Sequence, residues 1–219
     1  MSRNPHFSLF ISHFSFQTIY REGGDFKSPG LNFDELSIQC KTSVVILSMG
    51  NESKFWGDMK IGVVSDTHGD VYMTSAALIA FREHGVAQIL HCGDIGTPEI
   101  VRLFTDIPTR FVFGNCDPRT ETLRKTIRSV KQTCCDWFGE LELDGKKILF
   151  LHGHQWERFE DEIHSGQWDL ICYGHTHRAE LRLSGDTLIL NPGAIHRTAT
   201  PSVAIVDLET MNVQTISLR

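Results

Sequence analysis

Five short apolar runs in this chain stop in the same manner, and that repetition limits its fold more than any other feature. KIGVVSDTH (60–68) runs apolar and β-branched, then breaks at Asp66 and His68. AQILHCGD (87–94) breaks at Asp94, and VFGNCDP (112–118) at Asn115, Cys116 and Asp117. KKILFLHGH (146–154) breaks at His152 and His154, and DLICYGHTH (169–177) at His175 and His177. Each run is too short for a buried helix and rich in Val, Ile, Leu and Phe, which predicts a buried strand. One such ending is turn chemistry, because Gly, Asn, Asp and Pro all favour turns. Five predict a shared site, since ligands of layered α/β folds gather beyond the carboxyl ends of the strands.

The segments between these runs supply helices and hairpins. MTSAALIAFREHG (73–85) is strong in helix formers and closes at Gly85. TPEIVRLFT (97–105) opens with Thr97 as N-cap and Pro98 at the first helical position. ERFEDEIHSG (157–166) reads as a short acidic helix ending at a glycine. LELDGKKILFL, ELRLSGDTLIL and SVAIVDLETMNVQTISL repeat strand, tight turn, strand. That rhythm predicts hairpins, and with them an α/β domain of mixed rather than purely parallel sheets.

Residues 1–58 differ from the rest. MSRNPHFSLFISHFSFQTIY has aromatics without a helical stripe or clean alternation, and His13 with its scattered serines spoils a signal peptide. Residues 27–58 are turn-rich apart from SVVIL (43–47). The expectation is a poorly ordered extension or a start codon placed too far upstream, with Met59, or failing that Met49, as the natural first residue. Residues 59–219 then form one domain. Of the whole chain's 219 residues, 41% are hydrophobic and 22% charged, enough for one ordinary core. No apolar run approaches the ~20 residues a bilayer crossing needs, so no membrane partner is expected. The formal net charge of −6 argues against stable nucleic-acid binding. Six cysteines without a CxxC pair read as free thiols of a reducing cytoplasm. Self-association is left open.

The strand-end donors are Asp66, His68, Asp94, Asn115, His152, His175 and His177. Imidazole with carboxylate suits Mn, Fe, Zn, Ni or Co better than Ca or Mg, which favour all-oxygen shells. Seven donors exceed one tetrahedral zinc and suit two ions sharing a carboxylate, the arrangement that acidifies a water and clamps a phosphoryl displacement. In Asp66–Thr67–His68 and His175–Thr176–His177, side chains two apart in extended backbone point the same way. Gly93 and Gly174 are expected to let backbone pass close to a metal. Other histidines read as structural: His84 and His164 near helix C-termini, His91 inside a strand, His196 in a loop. His154 either supports a ligand or reaches substrate. Asp117 is a loop or supporting group.

DTH, GD, GN, H and GHTH, in this order on successive strands, resemble the calcineurin-like metallophosphoesterase superfamily. GNCD with HGH, GHTH and NPGA (191–194) is similar to its small, capless, YfcE-like phosphodiesterase branch, over about residues 59–210. The resemblance implies a four-layer α/β/β/α sandwich. It implies a first metal held by Asp66, His68 and His177, a second by Asn115, His152 and His175, and Asp94 bridging the two. It implies two divalent transition-metal ions, manganese first among Mn, Fe, Ni, Zn and Co, and a hydroxide between them that attacks a small phosphodiester in line. Cys116 departs from the pattern, since much of the superfamily has His there beside the leaving oxygen. A thiol with pKa near ~8.5 matches acid catalysis poorly, so Cys116 is either a weak catalytic group or a small apolar filler. A phosphomonoesterase or nucleotidase is the alternative chemistry. A non-catalytic interaction module, like the retromer subunit of this fold, is the alternative class. All seven expected positions carry competent donors, which favours the enzyme.

Overall fold

The computed structural model describes residues 59–218 and four short strands before them. Those strands form two antiparallel hairpins, β1 (Phe7–Ile11) with β2 (Phe14–Thr18) and β3 (Leu36–Cys40) with β4 (Ser43–Leu47). SVVIL is β4, and its partner β3 lies in the part that reads as turn-rich. The rest of the expected extension over 1–58 lies outside the described residues. The chain divides into two compact units, Met1–Gly57 and Asp58–Arg219, and the second carries everything that follows.

Two mixed sheets build this unit. In the first, β5 (Lys60–Val64), β6 (Gln88–His91), β7 (Thr109–Phe111) and β8 (Thr133–Cys134) run parallel. In the second, β10 (Lys146–Leu151), β11 (Leu170–Cys172) and β13 (Thr187–Pro192) are parallel, with β9 (Phe138–Leu143) and β12 (Ala179–Ser184) antiparallel at its edges. The first sheet is completed by β14 (Ser202–Asp207), antiparallel to β5, and by β15 (Val213–Ser217) at its edge.

Alternation along the strands sets the layers. Ile61, Val63 and Leu90 of the first sheet pack against Ile148, Phe150, Leu170 and Leu190 of the second. The other face of the first sheet, with Val64, Ile89 and Phe111, buries Leu78, Phe81, Ile100, Leu123 and Ile127 from three helices. These helices are α1 (Val71–Glu83), α2 (Pro98–Val101) and α3 (Thr120–Ser129). Leu149, Leu151 and Ile171 on the second sheet's outer face bury Phe159 and Ile163 of α4 (Trp156–His164). The order is helices, sheet, sheet, helix, the expected four-layer sandwich. Strands covered on both faces must be apolar throughout, which explains the continuous runs. Phe81, Phe104, Phe111, Phe113, Phe150 and Phe159 are fully buried, each contributing about 1.5–3 kcal/mol.

Several boundaries move for local reasons. The first helix begins two residues before its predicted start because the Asp70 carboxylate accepts the Met73 N–H at 3.0 Å. It ends at Glu83, with His84 as cap and Gly85 left-handed at φ 70°. The predicted helix over 97–105 spans only Pro98–Val101, and Thr97 holds the N-cap position without a side-chain capping bond. The acidic helix ends at His164, before the left-handed Gly166. Nothing in the sequence reading anticipated α3. The β9–β10 turn has Asp144 at φ 51° and Gly145 at φ 71°, the positive pair that a two-residue hairpin turn requires. In VFGNCDP, Val112 and Phe113 are buried but lie beyond β7, so the strand stops three residues before Gly114.

Candidate metal centre

Five parallel strands deliver their following residues to one place. Asp66 lies two residues after β5, Asp94 three after β6 and Asn115 four after β7, while His152 follows β10 directly and His175 lies three after β11. The backbone there is not extended. Asp66, His68, Asp94, His175 and His177 have φ of 55°, 43°, 54°, 68° and 58°. This corrects the expectation that the DTH and HTH side chains align because they are two apart in a strand. Left-handed turns aim them instead, and each such residue costs about 1–3 kcal/mol that the surrounding packing must offset. Thr67, between Asp66 and His68, points away and is buried.

The side chains converge. Asp66 Oδ1 lies 3.2 Å from His177 Nε2 and 3.8 Å from His68 Nε2, and the two imidazole nitrogens are 3.3 Å apart. Asp94 Oδ2 faces His68 Nε2 at 3.5 Å, while its Oδ1 faces His152 Nε2 at 3.4 Å. Asn115 Oδ1 is 3.1 Å from His152 Nε2. The His175 ring lies 5.2 Å from the His152 ring, and its backbone N–H donates to Asp66 Oδ2 at 3.1 Å. Cys116 joins His68 and Asp94 within metal-ligand spacing, and its N–H donates to Asp94 Oδ1 at 2.8 Å.

These groups fit a cation. Asp66 Oδ1 is buried with no hydrogen-bond partner among the described residues, although a buried carboxylate oxygen without a partner is costly. His152 Nδ1 lies 2.8 Å from the Cys92 carbonyl, which can only accept. Nδ1 therefore carries the proton and Nε2 presents its lone pair to the cluster, the arrangement typical of metal-binding histidines. Burial opposes charge on His152, yet Asp94 and Asp66 outweigh it and raise its pKa. Burial would also raise Asp94, but His152 and the Cys116 N–H hold its carboxyl well below the usual range. Both shifts express one fact: the buried carboxylates attract positive charge. Burial pushes His68 down against the pull of Asp94 and Asp66.

A surrounding layer fixes these loops. Asp117 is 2% exposed and its carboxylate accepts N–H groups from Ile95, Gly96 and Gly114 at 3.2, 2.8 and 2.8 Å. It ties the GD loop to the GN loop, the supporting role expected of it. His91 does lie in a strand, fully buried, with Nδ1 accepting from the Gly93 N–H and Nε2 3.1 Å from Thr67 Oγ1. Thr67 Oγ1 donates onward to the Ile95 carbonyl at 3.1 Å. Burial, with the nearby His152, takes the His91 pKa down to about 3, so this relay runs through a neutral ring. His84 caps α1, His164 ends α4, and His196 sits in a loop with Nδ1 3.0 Å from Asp70 Oδ2. At Gly93 and Gly174 the close neighbours are His152 on one side and Ser65 with Asp66 on the other. The sequence reading missed Arg197, whose positive charge opposes protonation of His68 and favours the Cys116 thiolate.

With this geometry in view, the chain can be set beside known proteins. The profile of the calcineurin-like phosphoesterase superfamily domain matches residues 59–211. Phosphodiesterase MJ0936 of Methanocaldococcus jannaschii is 30% identical over 165 residues, covering 73% of this chain and 99% of that protein. Phosphodiesterase YfcE of Escherichia coli is 23% identical over 152 residues, covering 63% of this chain and 79% of that protein. A solved archaeal phosphodiesterase superposes with a TM-score of 0.69 at 30% identity, over 73% of this chain and all of the other.

Proposed function

This chain belongs to the calcineurin-like phosphoesterase superfamily, and from that premise we propose that it is a metal-dependent phosphodiesterase of two divalent ions. The observation that carries the reading is Asp94, whose two oxygens face different histidines, His68 at 3.5 Å and His152 at 3.4 Å. Donors ~3 Å apart are neighbours around an ion with ~2.0–2.2 Å bonds. Asp66, His68 and His177 would hold one ion, Asn115, His152 and His175 the other, and Asp94 both. Bound there, such ions supply an acidified water and charge stabilisation for in-line phosphoryl displacement. Manganese is the first candidate for both positions.

The protein's own groups do the rest. Cys92 O fixes the His152 tautomer, Asp117 locks the GD and GN loops together, and Asn115 adds a donor without adding charge. In the displacement, a water-derived oxygen bonds to phosphorus, one ester P–O bond breaks, and the departing oxygen takes a proton. The diester class rests on the relatives named phosphodiesterase. Metal-loaded protein should hydrolyse bis(p-nitrophenyl) phosphate well ahead of p-nitrophenyl phosphate. The reverse preference makes it a monoesterase.

Cys116 stands where much of the family has His, and in this proposal it gives the leaving oxygen little help. Burial and the neighbouring Asp94 push its thiol up, the wrong direction for a group that must give up a proton near neutral pH. Cys116→Ala should remain near wild type. Cys116→His should raise turnover most for the poorest leaving groups, within the roughly 10²–10⁴-fold that positioned acid catalysis contributes. Loss of turnover in Cys116→Ala at unchanged metal content would make the thiol catalytic.

The catalytic unit in this proposal is residues 59–219. The family match begins at residue 59 and the compact unit at Asp58. A chain starting at Met59 should fold and keep full activity. An insoluble or inactive product, with the full chain sound, contradicts this.

A further inference from the structure

Trp137 is a large apolar side chain left 40% exposed, between β8 and β9, and its neighbours lead to the metal centre. Its ring stands edge-on to Phe113 at 5.9 Å and to His154 at 5.9 Å. Phe113 directly precedes Gly114 and Asn115. The His154 ring lies 5.5 Å from His152 and 6.4 Å from His175. Trp137 therefore stands one ring beyond the Asn115, His152 and His175 side of the centre. Its other exposed counterpart on the second sheet's side, Trp156, packs on Phe159 instead.

The ring is also held in place. Asp136, immediately before it, is left-handed at φ 58° and its carbonyl accepts the Phe113 N–H. Arg124 donates to Asp136 Oδ1 from Nε at 2.9 Å and from Nη2 at 2.8 Å, and its guanidinium lies 5.5 Å from the Phe113 ring. A fixed indole with open surface, set back from a phosphate-handling centre by one imidazole, loses little entropy when a flat group stacks on it.

We propose that Trp137 is a stacking platform that makes this enzyme select phosphodiesters carrying a planar aromatic group, nucleosides included, over alkyl esters. The His154 ring lies between the platform and the metal side. The inference rests on the phosphodiesterase reading of the centre, and its test is chosen to fail separately from that reading.

Calorimetric Kd values for thymidine 5′-monophosphate, phenyl phosphate and methyl phosphate share the phosphate and differ only in the attached group. They are measured on metal-loaded full chain, for wild type, Trp137→Ala and Trp137→Phe. Trp137→Ala should weaken thymidine 5′-monophosphate by about 5- to 150-fold, the range of base stacking on one aromatic side chain. Phenyl phosphate should weaken in the same direction, methyl phosphate should hold its wild-type Kd, and Trp137→Phe should restore most of the loss. Weakening of thymidine 5′-monophosphate alone would restrict the platform to nucleosides. Equal weakening of all three ligands, or of none, overturns the proposal. Failure of wild type to hydrolyse bis(p-nitrophenyl) phosphate overturns the phosphodiesterase reading, while the three-ligand comparison still reports on the platform.

Discussion

Asp94→Ala is expected to lower phosphodiester turnover by roughly 10³-fold or more, since loss of a shared ligand should exceed the 10–100-fold typical of outer supporting groups. Asp94 is 2% exposed and sends one oxygen toward His68 and the other toward His152. It also accepts the Cys116 N–H, so its loss frees the loop carrying Asn115. Both metal positions should lose occupancy together. His68→Ala, which removes a donor from one position, should spare the other ion. Elemental analysis of the two folded variants, with circular dichroism as the check on folding, separates these outcomes. Retention of both ions by Asp94→Ala would contradict the proposal that its carboxylate serves both.

Gly114→Ala should be nearly as damaging, though it removes no donor. A Cβ at this position would sit on Asp94 Oδ1 and come within 2.5 Å of the Asp94 backbone nitrogen. Neither neighbour can retreat. Asp94 is held left-handed, and the Gly114 N–H is itself bonded to Asp117 at 2.8 Å. Overpacking of this kind costs about 1–3 kcal/mol in stability. A displacement of 1 Å at reacting groups costs roughly 10²-fold in rate. Thermal melts and turnover should therefore both fall. Gly145→Asn is the control: a Cβ there meets nothing within 4 Å, so turnover should hold, while the left-handed φ of 71° allows a small drop in the melt. Unaltered turnover in Gly114→Ala would show that the loops yield more than their hydrogen bonds imply.

The layered fold was legible because burial on both faces leaves an unbroken apolar run, and Ile61, Val63 and Val64 show it in three residues. Asp66, His68, Asp94, Asn115, His152, His175 and His177 were legible because each interrupts or follows such a run with a residue type able to bind metal, and the fold brings their loops together. The left-handed backbones of Asp66, His68, Asp94, His175 and His177 were not. Asp and His tolerate that conformation better than most residues, so nothing in their identity separates a strand-end ligand from a strained turn. Helix α3 escaped because only Leu123 and Ile127 mark its buried face amid polar neighbours, although Thr126 is buried beside them. Their i, i+4 spacing is the signal that would have found it. Trp137, Arg197 and the His91–Thr67 relay depend on contacts far apart in the chain, which composition and spacing do not report.

Metal content against activity tests the central claim most directly. Protein purified without chelator is predicted to carry up to two transition-metal ions per chain, to lose diester turnover on chelation, and to regain it with Mn²⁺. Full diester turnover by wild-type protein shown by elemental analysis to hold no metal would contradict it.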